Sequence, residues 1–395
     1  MKSEIVSSKR QRALGRKAGV AILAASLGLT SCAALPDRLE GTNYAADSPP
    51  FVATTLDPLE PDPALPERAD LIHRVLLVGD AGVPRESEPV LEAVGTWGNA
   101  HPDQTTVLYL GDNLYPSGLE DDDRERGEAV LRSQLEASTA SKIFLPGNHD
   151  WGFPHQGPDR VIEQQLFVEA AGAAFLPRDG CPGPVHHELV PADPTGARGL
   201  GLILIDIDPW FVAPEERADC PDAATPQQLA DQLAALLAQH ADQALIVAAH
   251  HPLRTGGPHG GFTRGWLGDA VTGLIFWMYG SLQDAYEEGY RKIMLPIEGA
   301  LASFPPLLFA AGHDHNLQIL EGGRHARYQV VSGAGATERV RGGHVTDIEG
   351  TLFAHGHPGF MALDIIQTRD GRRAQLLVIE TGKPLPVLAI DLGAP

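Results

Sequence analysis

Five short polar blocks hold the residue types that could do chemistry in this sequence. They are Gly79-Asp80-Ala81-Gly82, Gly111-Asp112-Asn113-Leu114-Tyr115, Gly147-Asn148-His149-Asp150, Val247-Ala248-Ala249-His250-His251-Pro252 and Gly312-His313-Asp314-His315. As ligand donors, Asp80 and Asp112 offer carboxylates and Asn148 a carbonyl oxygen. His250, His313 and His315 offer imidazoles, and Tyr115 a phenolate. A mixed oxygen and nitrogen set without thiolate suits iron, manganese or zinc. His313 and His315 are two apart, so in an extended segment they point the same way. The set has room for two metal ions roughly 3.5–4 Å apart with one carboxylate between them. Taken singly, each residue has a plainer role: an Asp after a strand caps or turns, a Tyr packs, an Asn forms a turn. Only the joint pattern points to a metal centre.

The blocks need elements to position them. Short apolar runs predict strands at Val75–Val78, Val107–Leu110, Lys142–Leu145, Gly201–Ile205, Leu245–Ala248 and Leu307–Ala310, then at Tyr328–Val331, Met361–Ile366 and Gln375–Ile379. Helical patterns fall at Glu88–Ala100, Asp123–Ala137, Val161–Ala170, Thr225–Gln239 and Leu282–Leu301. The early strands are unbroken apolar runs, the mark of strands covered on both faces. Four blocks follow a predicted strand and the fourth begins inside one. The carboxyl ends of strands are where open α/β sheets build ligand sites. A glycine just before the polar residue in four blocks allows a sharp turn and close backbone approach. The order of elements predicts an α/β sandwich, βαβ units first and a hairpin-like sheet last. No internal repeat is visible.

Together the blocks resemble the signature motifs of calcineurin-like metallophosphoesterases, and more narrowly those of purple acid phosphatases of the tartrate-resistant type. The wider superfamily has Asp-x-His in its first block, whereas this chain has Asp80-Ala81-Gly82 and carries Tyr115 in the second. The purple acid phosphatase pattern makes the same exchange. The resemblance covers about residues 70–335. It implies a four-layer αββα sandwich of two mixed sheets flanked by helices. It implies a first metal site of Asp80, Asp112, Tyr115 and His315, holding Fe(III). The second would comprise Asp112, Asn148, His250 and His313, holding Fe(II), Zn or Mn, with Asp112 bridging. The implied activity is hydrolysis of a small phosphomonoester by in-line attack of a metal-bound hydroxide. His149 is then the general acid, and His259, nine residues after His250, binds phosphate or donates a proton. Asp150 is a candidate orienter of His149. His251 points away from its neighbour in a strand and reads as structural; His186 and His187 match no motif and read as surface loop.

The chain has 395 residues and a formal charge of −21, a poor starting point for nucleic-acid binding. Residues 1–31 carry a net +5 and an apolar run from Ala18 to Leu29, too short to span a bilayer. Leu29-Thr30-Ser31-Cys32 resembles a bacterial lipobox, which implies cleavage before Cys32, a lipid on its sulfur and a charge of −26 afterwards. The expected location is the periplasmic side of a cell envelope, and Ala33 after Cys32 points to the outer membrane. Residues 32–66, rich in proline, read as a tether, and 67–395 as one catalytic domain. Cys181 and Cys220 then remain, as a disulfide permitted by an oxidising compartment or as two buried thiols. An insertion at about 256–299 holds Trp266, Leu267 and Leu274–Tyr279. It reads as an extra helix pair, a substrate lid or a membrane contact. Two other functions stand beside phosphomonoester hydrolysis. One is a phosphodiesterase acting on nucleotides or phospholipid head groups. The other is a non-catalytic envelope lipoprotein on the same scaffold.

Overall fold

The computed structural model describes residues 39–60, 62–152, 157–193, 196–212, 214, 217–262, 284–285, 287–336 and 343–395. In chain order the elements are β1 (Phe51–Val52), β2 (Leu71–Val78), α1 (Glu88–Ala100), β3 (Thr105–Leu110), α2 (Arg124–Glu136), β4 (Ser141–Leu145), α3 (Asp159–Ala170), β5 (Ala174–Phe175), β6 (Val185–Val190) and β7 (Gly199–Leu204). Then come α4 (Pro226–Gln239), β8 (Gln243–Ala248), α5 (Glu288–Ser303), β9 (Leu308–Ala311), β10 (Leu317–Glu321), β11 (Tyr328–Ser332), β12 (Thr351–His355), β13 (Gly359–Thr368), β14 (Gly371–Glu380) and β15 (Leu388–Gly393).

Alternation along the strands explains the layers. One mixed sheet runs β15-β14-β13-β2-β3-β4-β5 and the other β1-β12-β10-β11-β9-β8-β7-β6. Val75 and Leu77 of β2, with Leu108 and Leu110 of β3, face Leu202, Leu204, Ile246 and Ala310 of the second sheet across one apolar core. The alternate residues Leu76, Val78, Val107 and Tyr109 turn outward onto Val90, Val94, Leu131 and Val161 of α1, α2 and α3. On the other side Ile203, Leu245, Val247 and Phe309 meet Leu229, Leu233, Ile293 and Ile297 of α4 and α5. A period of two thus feeds both faces of each sheet, giving the expected four-layer αββα sandwich.

Helix α4 starts where its sequence says it should. The Thr225 hydroxyl accepts the Gln228 N–H at 3.2 Å, Gln228 Oε1 accepts the Thr225 N–H at 3.0 Å, and Pro226 holds the first helical position. Between α1 and the first sheet sits a charge pair the sequence did not reveal. Arg74 of β2 donates to both oxygens of Asp364 on β13 at 2.7 Å each, and its guanidinium lies 4.7 Å from the Trp97 ring centre. Both side chains are fully buried.

Three sequence expectations change. The proline-rich stretch read as a tether lies along the body from Leu39 onward. Leu39 bridges to Phe262, Ala45 to Gly356, and β1 pairs antiparallel with β12. Backbone hydrogen bonding needs no apolar periodicity, so the sequence carried no sign of it. His186 and His187 lie in the edge strand β6, not in a loop. The predicted helix from Leu282 is seen from Glu288. Of the insertion, Trp266, Leu267 and Leu274–Tyr279 lie outside the described residues, as do Cys32 and the whole leader; α5 packs against α4 over the second sheet. Cys181 and Cys220 form a disulfide. No described helix is long and apolar enough to cross a membrane.

Candidate metal centre

All five blocks fall at carboxyl ends of parallel strands, three in one sheet and two in the other. Asp80 follows β2, Asp112 and Tyr115 follow β3, and Asn148 follows β4. His250 follows β8, and His313 and His315 follow β9. The inter-sheet core therefore brings together residues more than 230 positions apart. Among the described residues five non-glycine residues have positive φ, and three are candidate ligands: Asp80 at 62°, Asp112 at 53° and His313 at 71°. Such conformations persist only where the surroundings impose them, and they gather at functional sites.

The side chains form two groups. In the first, the Tyr115 hydroxyl oxygen lies 3.0 Å from Asp80 Oδ1, 2.8 Å from Asp112 Oδ2 and 3.0 Å from His315 Nε2; His315 Nε2 lies 3.5 Å from Asp80 Oδ1. In the second, Asn148 Oδ1 lies 3.0 Å from both His250 Nε2 and His313 Nδ1. Those two nitrogens are 3.2 Å apart, and Asp112 Oδ1 is 3.4 Å from His250 Nε2. Asp112 thus places one oxygen in each group. Ligand atoms about 2.0–2.2 Å from a shared ion stand roughly 2.8–3.5 Å from one another, and both groups match that spacing.

Their chemistry fits a cation as well. His250 Nδ1 donates to the Leu110 carbonyl at 2.8 Å, so Nε2 is the nitrogen turned to the second group. In the first group one phenol hydrogen faces two carboxylate oxygens and an imidazole. Burial opposes a proton on His250, yet Asp112 and Asp80 raise its pKa to about 9. Negative charge here draws a positive partner. Asp80, Asp112 and His250 also form a buried trio whose ligand atoms lie close enough together to hold one ion. One oxygen of each carboxylate is also held by a backbone donor. Asp80 Oδ2 accepts the His313 N–H and Asp112 Oδ1 the His149 N–H, both at 2.9 Å.

Two further histidines flank the groups. His149 donates Nδ1 to the Pro116 carbonyl at 2.7 Å, and its Nε2 lies 4.0 Å from Asp112 Oδ2. Its ring centre is 4.4 Å from that of Tyr115, and burial lowers its pKa against the pull of Asp112. His259 lies against the second group, its ring centre 3.8 Å from that of His313. His251 is buried behind the centre, its Nδ1 3.8 Å from Asp208.

The carboxylate of Asp150 does a different job from the one its position suggested. It accepts four N–H groups: backbone Asn113 at 3.1 Å, Leu114 at 3.0 Å and Gly147 at 2.8 Å, and the Asn113 amide at 3.0 Å. It therefore ties the Asp112 loop to the Asn148 loop, while the Pro116 carbonyl orients His149. Beside it, the Trp151 indole donates to buried Asp206 at 2.9 Å. No motif pointed to Asp206, and Asp284, whose Oδ1 lies 2.8 Å from His259 Nδ1, was equally invisible.

No family model and no curated protein matches the sequence. Solved structures do. The chain is similar to the structure described as GAP50, the anchor in the inner membrane complex of Plasmodium: 15% identity over 82% of this chain and 89% of that one, TM-score 0.52. It shares that fold. Two further similar structures are purple acid phosphatase PPD1 from yellow lupin (Lupinus luteus) seeds and the NAD nucleotidase NadN of Haemophilus influenzae. The first has 12% identity, coverage of 81% and 53%, and a TM-score of 0.46. The second has 10% identity, coverage of 80% and 50%, and a TM-score of 0.39. At such identity likeness speaks for the fold alone, and the function rests on the site.

Proposed function

We propose that this chain is a dinuclear-metal phosphoesterase that hydrolyses small phosphomonoesters outside the cytoplasm, tethered through a lipid on Cys32. The observation that carries this reading is the pair of ligand groups sharing the two oxygens of Asp112. Asp80, Asp112, Tyr115 and His315 would hold one ion, iron by virtue of the phenolate. Asp112, Asn148, His250 and His313 would hold the other, iron, zinc or manganese. Cations bound there supply Lewis-acid polarisation of a phosphoryl group and acidify water. The chain does the rest. Asp150 holds two ligand loops in register, and the Leu110 carbonyl sets the His250 tautomer. His149, anchored through Nδ1 to Pro116, keeps Nε2 at the rim of the first group, where its doubly protonated form would give the Nε2 proton to a departing alkoxide.

Metal analysis and hydrolysis of an aryl phosphate test this. Two metal ions per chain are expected, with a visible charge-transfer band that Tyr115→Phe abolishes and a rate loss of at least about 10³-fold in Asp112→Asn, near 4 kcal/mol of barrier. Metal-free protein, or full activity in Asp112→Asn, would sink the phosphoesterase. A colourless, active zinc or manganese protein would sink only the iron.

One observation favours a second reading, a membrane-borne phosphoester as substrate. Leu39 donates to the Gly261 carbonyl at 3.2 Å, two residues past His259. The seven residues from Cys32 to Leu39 span at most about 25 Å, so a lipid on Cys32 would keep the metal centre near the bilayer. A strong preference for phospholipid-type diesters in vesicles over soluble monoesters would replace the first reading with this one. The non-catalytic alternative requires a metal-loaded protein that turns over no phosphoester.

A further inference from the structure

Among the described residues, three hydrogen-bond contacts hold His259. Its N–H donates to Asp314 Oδ1 at 3.1 Å, and Asp314 stands between the ligands His313 and His315. Its carbonyl accepts the Ala285 N–H at 2.9 Å. Its ring nitrogen Nδ1 meets Asp284 Oδ1 at 2.8 Å. Two of these three partners come from the far end of the insertion, which α5 then fastens down: the Tyr290 hydroxyl donates to the Pro252 carbonyl at 2.6 Å. Asp284 is 2% exposed, while the His259 side chain is 21% exposed and faces the second ligand group through its 3.8 Å ring contact with His313. A buried carboxylate bound to one imidazole nitrogen, with the ring beside a metal centre, is the arrangement that fixes a tautomer and a direction.

We propose that Asp284 is a positioning residue: by accepting the Nδ1 proton of His259 it turns Nε2 toward a phosphoryl group bound at the second ligand set. Asp284 and Ala285 of the insertion then belong to the site. A carboxylate accepts and does not donate, so the Asp284 contact places the proton on Nδ1. Whatever meets the opposite edge of the ring meets Nε2. This puts one imidazole on each side of the shared Asp112, His149 beside the Tyr115 group and His259 beside the Asn148 group. The phosphoryl ligand in this proposal rests on the phosphoesterase reading; the pairing of Asp284 with His259 does not.

The experiment has two arms on the full chain. In the first, histidine-selective ¹⁵N spectra of the metal-free protein report the His259 tautomer. A proton on Nδ1, lost in Asp284→Ala and restored in Asp284→Asn, whose amide oxygen still accepts, is expected. A ring protonated only on Nε2 in the wild type overturns the proposal whether or not any variant folds. In the second arm, the metal-loaded protein is titrated with inorganic phosphate and assayed on an aryl phosphate. Asp284→Ala and His259→Ala should weaken phosphate binding by the same factor, about tenfold, and the double variant should be no worse than His259→Ala. Wild-type phosphate affinity in Asp284→Ala, or losses that multiply in the double variant, overturns the proposal. A protein that binds phosphate with this coupling yet hydrolyses nothing upholds it and defeats the phosphoesterase instead.

Discussion

Gly147→Ala tests the site without touching a ligand. Gly147 sits where the Asn148 loop passes the Asp112 loop. A β-carbon there would fall well inside van der Waals contact of Asp112 N and Oδ1, and 2.8 Å from His250 Nδ1. A non-bonded carbon settles at about 3.5 Å, so one side or the other must move by about 1 Å. Neither side can yield alone. Asp112 Oδ1 is held by the His149 N–H and His250 Nδ1 by the Leu110 carbonyl. The Gly147 N–H is itself held by Asp150. The displacement must therefore open the spacing between Asp112, Asn148 and His250, the second ligand group. A misplacement of about 1 Å costs on the order of 10²-fold in rate, near 2.7 kcal/mol of barrier. Overpacking should cost about 1–3 kcal/mol of stability. For a body of this size that is roughly 1.5–4 °C in melting temperature. Metal analysis, aryl phosphate kinetics and a melting curve on one preparation read all three. The expected variant is folded, depleted in the second metal and slowed about a hundredfold. Two metals bound at wild-type rate would refute the claim that close loop approach sets the ligand geometry.

The buried Arg74–Asp364 pair should be asymmetric under mutation. Arg74→Met alone leaves the buried Asp364 carboxylate with only Arg68 Nη1 at 3.7 Å and should cost up to about 3–5 kcal/mol, whereas Arg74→Met with Asp364→Leu should recover part of it in urea unfolding. A single variant as stable as the wild type would contradict that. His73, buried on β2 with Nε2 3.1 Å from the Thr106 hydroxyl, has its pKa lowered by burial from 6.5 to about 4. The unfolded chain takes up that proton first as pH falls. Stability present above about pH 6.5 should therefore be lost down to about pH 4, by up to about 3 kcal/mol. His73→Gln should flatten that stretch of the melting-temperature profile, and an unchanged slope would show that His73 is not held neutral.

What could be read in the sequence divides by range of interaction. Helix α1 was predicted at Glu88–Ala100 and is found there, because its buried side chains Val90, Leu91, Val94 and Trp97 repeat at helical spacing. The central parallel strands were legible as apolar runs because helices and the opposite sheet bury both their faces. Strands β1, β5, β6, β10, β12 and β15 were not. They are short or sit near a sheet margin, and β6, with pattern half-open to solvent, keeps His186, His187 and Glu188 where an inner strand would need apolar residues. The strap from Leu39 to β1 was hidden for a related reason: it is held by backbone pairs to Phe262, Gly356 and β12, and side-chain pattern does not encode those.

The site shows the same division more sharply. The ligand blocks were visible because each sets carboxylate, amide or imidazole side chains together at a strand end. Their convergence was not encoded locally at all. Asp80 and His313 belong to different sheets, and Asp80 Oδ2 meets the His313 N–H at 2.9 Å only because leucines, isoleucines and valines of both sheets close the core beneath them. The blocks carry the chemistry and the anonymous apolar residues carry the geometry. Asp284 falls outside both signals. It follows no predicted strand and stands in a stretch with no motif, and its partner is 25 residues away. A single carboxylate in an insertion looks like any exposed acid until the fold buries it against His259. Residues that act through another residue need no spacing of their own, only a chain long enough to deliver them.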